Sequence, residues 1–357
     1  MPDTPALEYR LICVSESRGL QRYTARLANA LAGTGEVHLS VAGQEPLLAL
    51  LEPKANSLAL PSGRRSMRTL VSIVQAIFTR RSTVLHYQGI NLVTLFLLAI
   101  AGRIGWRVVF TPHNVQTHFR NRIYNAIKWP LWRSFNMIIL HTKAELDRVP
   151  EDLRPRVAII PHGEYAPGTT SSAASEPITR AVADLGDYIL APGFIRDDKN
   201  LDYLVENADL FTRYEFSLVV AGRNQSSLPD AKIAAAATYF DGFLPDTDLE
   251  HLIAHASAVI LPYDKVSESG ILHQALSVGT PVIASDIPGF KERLRENENG
   301  WFLEGLTPQA LDSALGKIKS ADIDRAELAN RHREAYSWSA IASALLEELD
   351  ARRLRHQ

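Results

Sequence analysis

The chain has 357 residues, 46% of them apolar and 22% charged, which is enough for two ordinary domains with a core each rather than one compact unit. Its single cysteine, Cys13, excludes a disulfide framework and fits a buried strand thiol in a reducing compartment. The formal net charge of −2 hides an asymmetry: residues 1–170 carry 20 Lys+Arg against 11 Asp+Glu, a net +9, and the remainder carries 18 against 29, a net −11.

A basic first half suits an anionic surface, either phospholipid or a pyrophosphate-linked acceptor, and it equally fits ordinary variation in solvated side chains. No recognisable nucleic-acid-binding module accompanies it, so nucleic acid is not an expected partner. The opening MPDTPALEYR has acids and prolines where a secretion signal would have a basic region and an apolar core, so a cytoplasmic location is expected.

Strands are predicted at Tyr9–Val14, Val37–Val41, Val84–Tyr87, Arg107–Thr111, Met137–His141 and Val157–Pro161, with helices at Gln21–Ala32, Met67–Phe78 and Leu92–Ile104 between them. That alternation is the mark of a parallel sheet covered on both faces. The longest apolar run, Leu92–Ala101, is too short to span a bilayer and reads as a buried helix. The segment Ala166–Pro177 is small, polar and bounded by prolines, which predicts a linker. Beyond it strands are predicted at Tyr188–Pro192, Ser217–Ala221, Thr238–Asp241, Ala258–Leu261 and Pro281–Ser285, and Trp338–Leu354 reads as an amphipathic closing helix. The expected architecture is α/β, with two Rossmann-like doubly wound sheets facing across a cleft: residues 1–165, a linker over 166–177, residues 178–337, and a helix over 338–357 that returns to the first domain.

Ligands of open parallel sheets bind outside the carboxyl ends of the strands, so the segments following each strand are the candidates. After the first strand stand Arg18 and Gly19, with helix-end amides behind them. After the fourth come His113 and Asn114, placed to meet a sugar hydroxyl or to cap the next helix; His86, one strand earlier, could line the same pocket. His162 and Gly163 fit a structural turn better than a site. In the second half, GFIRDDKNLDYLVE places Arg196 and Lys199 between a strand and a helix start, where a guanidinium fork, an ammonium and free amides suit a diphosphate. Ser267, Ser269 and Gly270 precede a helix starting near Ile271, offering further donors to phosphate oxygens. There is no cysteine pair or HExxH motif, and Asp246–Asp248 reads as a helix cap, so metal and cofactor are not expected.

With these segments in order, the chain resembles family 4 of the retaining glycosyltransferases, whose fold is named GT-B. G-x-x-R-Y after the first strand is matched by Gly19 to Tyr23, the histidine after the fourth by His113, and I-P-[HN]-G by Ile160 to Gly163. The second-domain pattern G-x-[IL]-x-x-x-K-G is matched by Gly193, Ile195 and Lys199, with Arg196 between and Asn200 in place of the glycine. Ala221 and Gly222 end a strand as in the family, and the block from Asp241 to Pro262 resembles the stretch around the nucleotide base. One departure stands out: anchoring on Gly279 and Pro281 puts Gln274 where the family has its ribose-binding glutamate and Val266 where it has the glutamate near the transferred sugar, with Glu268 two residues away.

The resemblance implies a hexosyltransferase that moves a sugar from a GDP- or UDP-linked donor to a glycan or lipid-linked acceptor, with retention, without metal, in polysaccharide or glycoconjugate synthesis. It implies donor contacts at Gly19, Gly193, Arg196, Lys199, Gly222, Glu268, Ser269, Gly270, Ile271 and Gln274, and a sugar contact at His113. Acceptor contacts are expected at Arg18, His86 and Asn114. The segment HFRNRIYNAIKWPLWRSF interleaves Arg120, Arg122, Lys128 and Arg133 with Phe119, Trp129, Trp132 and Phe135, as either an interfacial contact at the inner membrane surface or a packed helix with basic solvent residues would. A nucleotide-sugar epimerase of the same fold and a catalytically idle sugar-nucleotide-binding subunit remain as alternatives.

Overall fold

The computed structural model describes residues 7–52, 55–60, 67–78, 84–113, 115, 122–164 and 174–352. The chain divides into two compact units, Met1–Gly163 with Tyr336–Gln357, and Glu164–Ala335. Asn114, Phe119, Arg120 and Leu354, with residues 165–173 of the expected linker, lie outside the described residues.

The first unit is built on seven parallel strands: β1 (Leu7–Cys13), β2 (Val37–Gly43), β3 (Asn56–Ala59), β4 (Val84–Gln88), β5 (Arg107–Thr111), β6 (Met137–Leu140) and β7 (Val157–Ile159), in spatial order β3-β2-β1-β4-β5-β6-β7. Alternate residues serve opposite faces. Tyr9, Leu11 and Cys13 enter one apolar cluster with Val109 and Ile139, whereas Ile12, Leu85, Tyr87 and Phe110 enter another. Both faces are therefore covered, which is why these strands read as continuous apolar runs.

Helix Arg18–Thr34 covers one face, and the closing helix Trp338–Ala351 packs against it. Ile341, Leu345, Leu346 and Leu349 of the closing helix are at most 2% exposed, each worth roughly 1.5–3 kcal/mol of burial. Ser337 caps that helix, its Oγ accepting from Ala340 N at 3.2 Å. Gly163 lies under Trp338, where a Cβ would come within 2.5 Å of the indole, so the turn admits no side chain there.

The second unit has six parallel strands: β8 (Tyr188–Pro192), β9 (Ser217–Gly222), β10 (Thr238–Asp241), β11 (Ala258–Leu261), β12 (Val282–Ser285) and β13 (Gly300–Leu303), in order β10-β9-β8-β11-β12-β13. Tyr188, Leu190, Val219 and Val259 fill one face and Ile189, Leu218, Val220 and Ile260 the other.

Several expectations need correction. Strands β3 and β13 were not expected; both are four-residue edge strands, β3 with every residue exposed and β13 opening on a glycine. The linker assignment ran two residues too far, because Glu176–Leu185 is helical. Asp246 and Asp248 stand in the first turn of helix Asp246–His255 rather than capping it; Pro245 holds the cap position, and Asp248 accepts from Ser175 N at 2.6 Å and from Ser175 Oγ at 2.9 Å.

Two further outcomes concern the first unit. Helix Leu92–Arg103 buries Leu95, Leu98, Ala99 and Ala101 but exposes Val93, Phe96 and Ile100, so it is only half buried. Trp132 and Phe135, read as one way to an interfacial contact, are fully buried in the core. Lys128 is buried as well, its Nζ donating to Val115 O at 3.0 Å, and Arg133 is paired with Asp152. Among the described residues of this segment, the packed-helix alternative is the one observed.

Candidate functional site

In each sheet the chain starts in the middle, runs to one edge, and returns to fill the other. The reversal falls between β1 and β4 in the first unit and between β8 and β11 in the second. Loops diverge at such a point and leave a crevice at the carboxyl ends of the strands.

In the second unit the loop following β8 carries Gly193, Arg196 and Lys199. Gly193 has φ +102° and Gly222, ending β9, has φ +148°. A Cβ on Gly222 would sit 2.0 Å from Gly193 O, so these two backbones touch. Asn200 at φ +51° then turns the chain into helix Leu201–Glu206. Its Nδ2 donates to Pro262 O at 2.8 Å and to Asp264 Oδ1 at 2.6 Å, while Asp264 N donates to Asp198 O at 3.1 Å. These bonds tie the loop after β8 to the segment after β11, and both predicted cations lie on the tied loop.

Arg196 makes a two-bond fork to Asp198, at 2.8 and 2.9 Å. Lys199 Nζ lies 3.1 Å from the centre of the Tyr263 ring. Burial, then the Arg196 charge, pushes the Lys199 amine down to about 7, with Asp198 opposing. The same Asp198 fork raises Arg196 above its ordinary value. Both cations thus rest on groups weaker than a diphosphate, one on a single carboxylate and one on a π face.

The segment after β11 leads to Ser269, which caps helix Gly270–Ser277; its Oγ accepts from Leu272 N at 3.3 Å and keeps its own O–H to donate. A Cβ on Gly193 would meet Ile271 Cγ1 at 3.7 Å, so the first turn of this helix abuts the loop after β8. Gln274 on the same helix is 8% exposed, and its Oε1 is buried with no hydrogen-bond partner. A buried acceptor left unmet is costly in a free protein and is satisfied when a ligand hydroxyl arrives.

Glu268 departs from the expected donor contact. Its side chain is 6% exposed, Oε1 accepts from His273 Nε2 at 3.0 Å and Ser269 N at 3.3 Å, and Oε2 accepts from Arg293 Nη2 at 2.9 Å. His273 is itself bonded to His332 at 3.1 Å, and burial pushes His332 down to about 3. Glu268 therefore braces the start of helix Gly270–Ser277 from inside the unit.

In the first unit, Gly19 lies in the first turn of helix Arg18–Thr34, and a Cβ there would meet only Ser17 Oγ at 4.0 Å. Arg18 beside it is exposed. His113 follows β5 at φ +61°, a conformation uncommon for a residue with a side chain and often retained at functional positions. Its ring stands edge-on to Tyr23, with centroids 4.6 Å apart. His141 Nδ1 faces the Ile160 carbonyl at 2.9 Å, so it carries the proton; its Nε2 then accepts from His113 Nδ1 at 3.1 Å. That relay leaves His113 Nε2 as a bare acceptor, buried and without partner. Burial first, and then the charges of His141, His162 and His86, hold His113 well below its ordinary value, so it stays neutral.

His86 is not an acceptor contact. Both its ring nitrogens are bonded at 2.7 Å, to the Tyr9 hydroxyl and to Thr111 Oγ1, it is fully buried, and it is pushed down to about 3. His162 likewise bonds the Gly163 carbonyl at 2.7 Å and packs on Tyr23 and Trp338. Sequence reasoning missed Asp198, Tyr263, His141, Arg293 and the half-exposed Phe194 beside Gly193. Of these only Asp198 and Phe194, inside the basic loop itself, carried a local signal.

Residues 182–335 match the family model described as glycosyl transferases group 1, and residues 17–163 match that of glycosyltransferase family 4. A D-inositol 3-phosphate glycosyltransferase of Corynebacterium urealyticum is 28% identical over 294 residues, 70% of this chain and 68% of that one. The counterpart in Nocardia farcinica is 30% identical over 56% of this chain, which spans only 48% of that relative. Among solved structures, Anabaena HepE in complex with UDP and glucose superposes with a TM-score of 0.71 at 14% identity, covering 97% of this chain and 100% of that one. A protein titled putative UDP-N-acetylglucosamine 2-epimerase from Listeria monocytogenes superposes at 0.66 with 13% identity, covering 99% and 98%. At such identities the superpositions speak for the fold alone.

Proposed function

The chain belongs to the group 1 glycosyl transferases, its first domain matching family 4, and from that premise we propose that it transfers a hexose from a UDP- or GDP-linked donor to a glycan or lipid-linked acceptor. The observation that carries this reading is the meeting of Arg196, Lys199 and the amino end of helix Gly270–Ser277 at the β8/β11 reversal. Two cations and a set of backbone donors there suit a diphosphate and neutralise it without a divalent ion.

In the proposed reaction the bond between sugar C1 and the phosphate oxygen breaks with its electron pair going to the phosphate. Arg196, Lys199, the Ser269 hydroxyl and the Gly270 amide stabilise that developing charge more than they stabilise the bound donor. The acceptor oxygen bonds C1 on the face the leaving group departs from, and the acceptor proton passes to the departing phosphate, which gives retention. Gln274 Oε1 accepts a hydrogen bond from the donor ribose, in place of the family's carboxylate, and His113 Nε2, within the first unit, is left open to a hydroxyl donor. The two open acceptors and the two cations give an epimerase or an idle subunit no additional support.

Calorimetry with a panel of UDP- and GDP-sugars tests the reading, with UDP-glucose and GDP-mannose first; heats at background for every donor would remove it. A pH series adds a sharper check. The charged Lys199 amine is lost as pH rises through about 7, and a sugar diphosphate does not titrate there. Donor affinity is expected to weaken about tenfold between pH 6 and 8, and the slope is expected to flatten in Lys199→Arg. An equally steep slope in that variant would detach the effect from Lys199.

A further inference from the structure

From Pro53 to Ala144 the sequence contains 13 Lys and Arg and not one Asp or Glu. Three helices of this stretch, Met67–Phe78, Leu92–Arg103 and Arg122–Trp132, cover one face of the first sheet, with Leu92–Arg103 in contact with both others. Their inward residues, including Ile77, Leu95, Leu98, Leu131 and Trp132, are core.

The outward side is apolar too. Val93 is 53% exposed, Phe96 58%, Ile100 39% and Ile104 62%. At 100° per residue these four fall within an arc of about 80° along one helix. Val71 and Ile127, also exposed, belong to the helices on either side. Single exposed apolar residues are ordinary, but four in a row along one helix, with a further one on each neighbouring helix, mark a surface that works against something. Arg68 and Arg103 are exposed at the ends of two of these helices. Arg133 is excluded from the cationic set by its pairing with Asp152.

We propose that this face docks the protein on an anionic phospholipid surface, with Val93, Phe96, Ile100 and Ile104 inserted at the headgroup boundary and Arg68 and Arg103 on lipid phosphates. The choice of occupant rests on charge. A second copy of this chain would set Arg68 and Arg103 against like charge in a stretch that has no acid, whereas an anionic bilayer complements them and also takes up the apolar row. The proposal deepens the lipid-linked-acceptor reading, because a protein seated this way meets its acceptor in the membrane plane. Docking needs neither donor nor turnover, so its failure would leave the transferase reading intact.

The test is cosedimentation of the full chain with vesicles of phosphatidylcholine alone and with a third phosphatidylglycerol, for the wild type and for Phe96→Ser/Ile100→Ser. Both side chains are exposed, so the variant is expected to keep the wild-type unfolding midpoint and donor affinity. The wild type should bind the anionic vesicles, less so at high salt, and the double variant about tenfold or more weakly. Absence of wild-type binding, or binding untouched by the double substitution, overturns the proposal. So does a lipid-free dimer on light scattering that the double variant dissociates, since the face would then be covered by a second copy.

Discussion

Arg196→Ala and Lys199→Ala should each lower turnover on the cognate donor about a hundredfold or more, the usual cost of removing one donor to a developing oxyanion. In the donor-free protein neither cation is idle: Arg196 is forked to Asp198 and Lys199 sits over Tyr263. Those contacts hold the side chains close to where the diphosphate must lie, so little ordering is left to be done on binding. Because the interaction grows as the phosphate departs, kcat should fall, and kcat/KM should fall at least as much because the same cations also hold the bound donor. Steady-state kinetics on the donor found by calorimetry reads this directly, and full turnover in both variants would eliminate the diphosphate site.

Glu268→Ala should act on stability instead, at a cost of roughly 3–5 kcal/mol. The substitution takes from Arg293, 8% exposed, its nearer carboxylate, leaving Glu292 Oε2 at 3.9 Å, and from the wholly buried His273 its acceptor, and a weakened ion pair inside a unit costs more than a lost surface pair. For a unit of this size that is a fall in unfolding midpoint of roughly 6–20 °C. Glu268→Gln keeps an acceptor and should lose less. An Ala variant with the parental midpoint but no donor binding would mean that Glu268 touches the donor after all, as its place near the family's glutamate had implied.

The contrast between these two positions shows what was legible in the chain. Arg196 and Lys199 are three residues apart in a loop that follows a strand, so the local pattern contained the candidate site. Glu268 is defined by His273, His332 and Arg293, residues 5, 64 and 25 positions away, and no window on the sequence joins them. His86 and His113 looked alike as histidines at strand ends; what separates them is that Tyr9 and Thr111 meet both nitrogens of the first and only His141 meets the second. The strands came through because a sheet covered on both faces writes itself as apolar runs. The same code failed for Leu92–Arg103: a helix apolar all round marks no face, so its exposed row could not be told from its buried one. Trp132 and Phe135 stayed undecided between the two readings, their basic neighbours giving a core segment the look of a surface.

The return of Tyr336–Gln357 to the first unit matters for the order of events during synthesis. Helix Arg18–Thr34 leaves the ribosome long before Ile341, Leu345 and Leu349, which share its apolar cluster. The second unit, contiguous from Glu164 to Ala335, can complete itself in the interval, while the nascent amino-terminal unit waits with a greasy flank uncovered, a natural foothold for a chaperone.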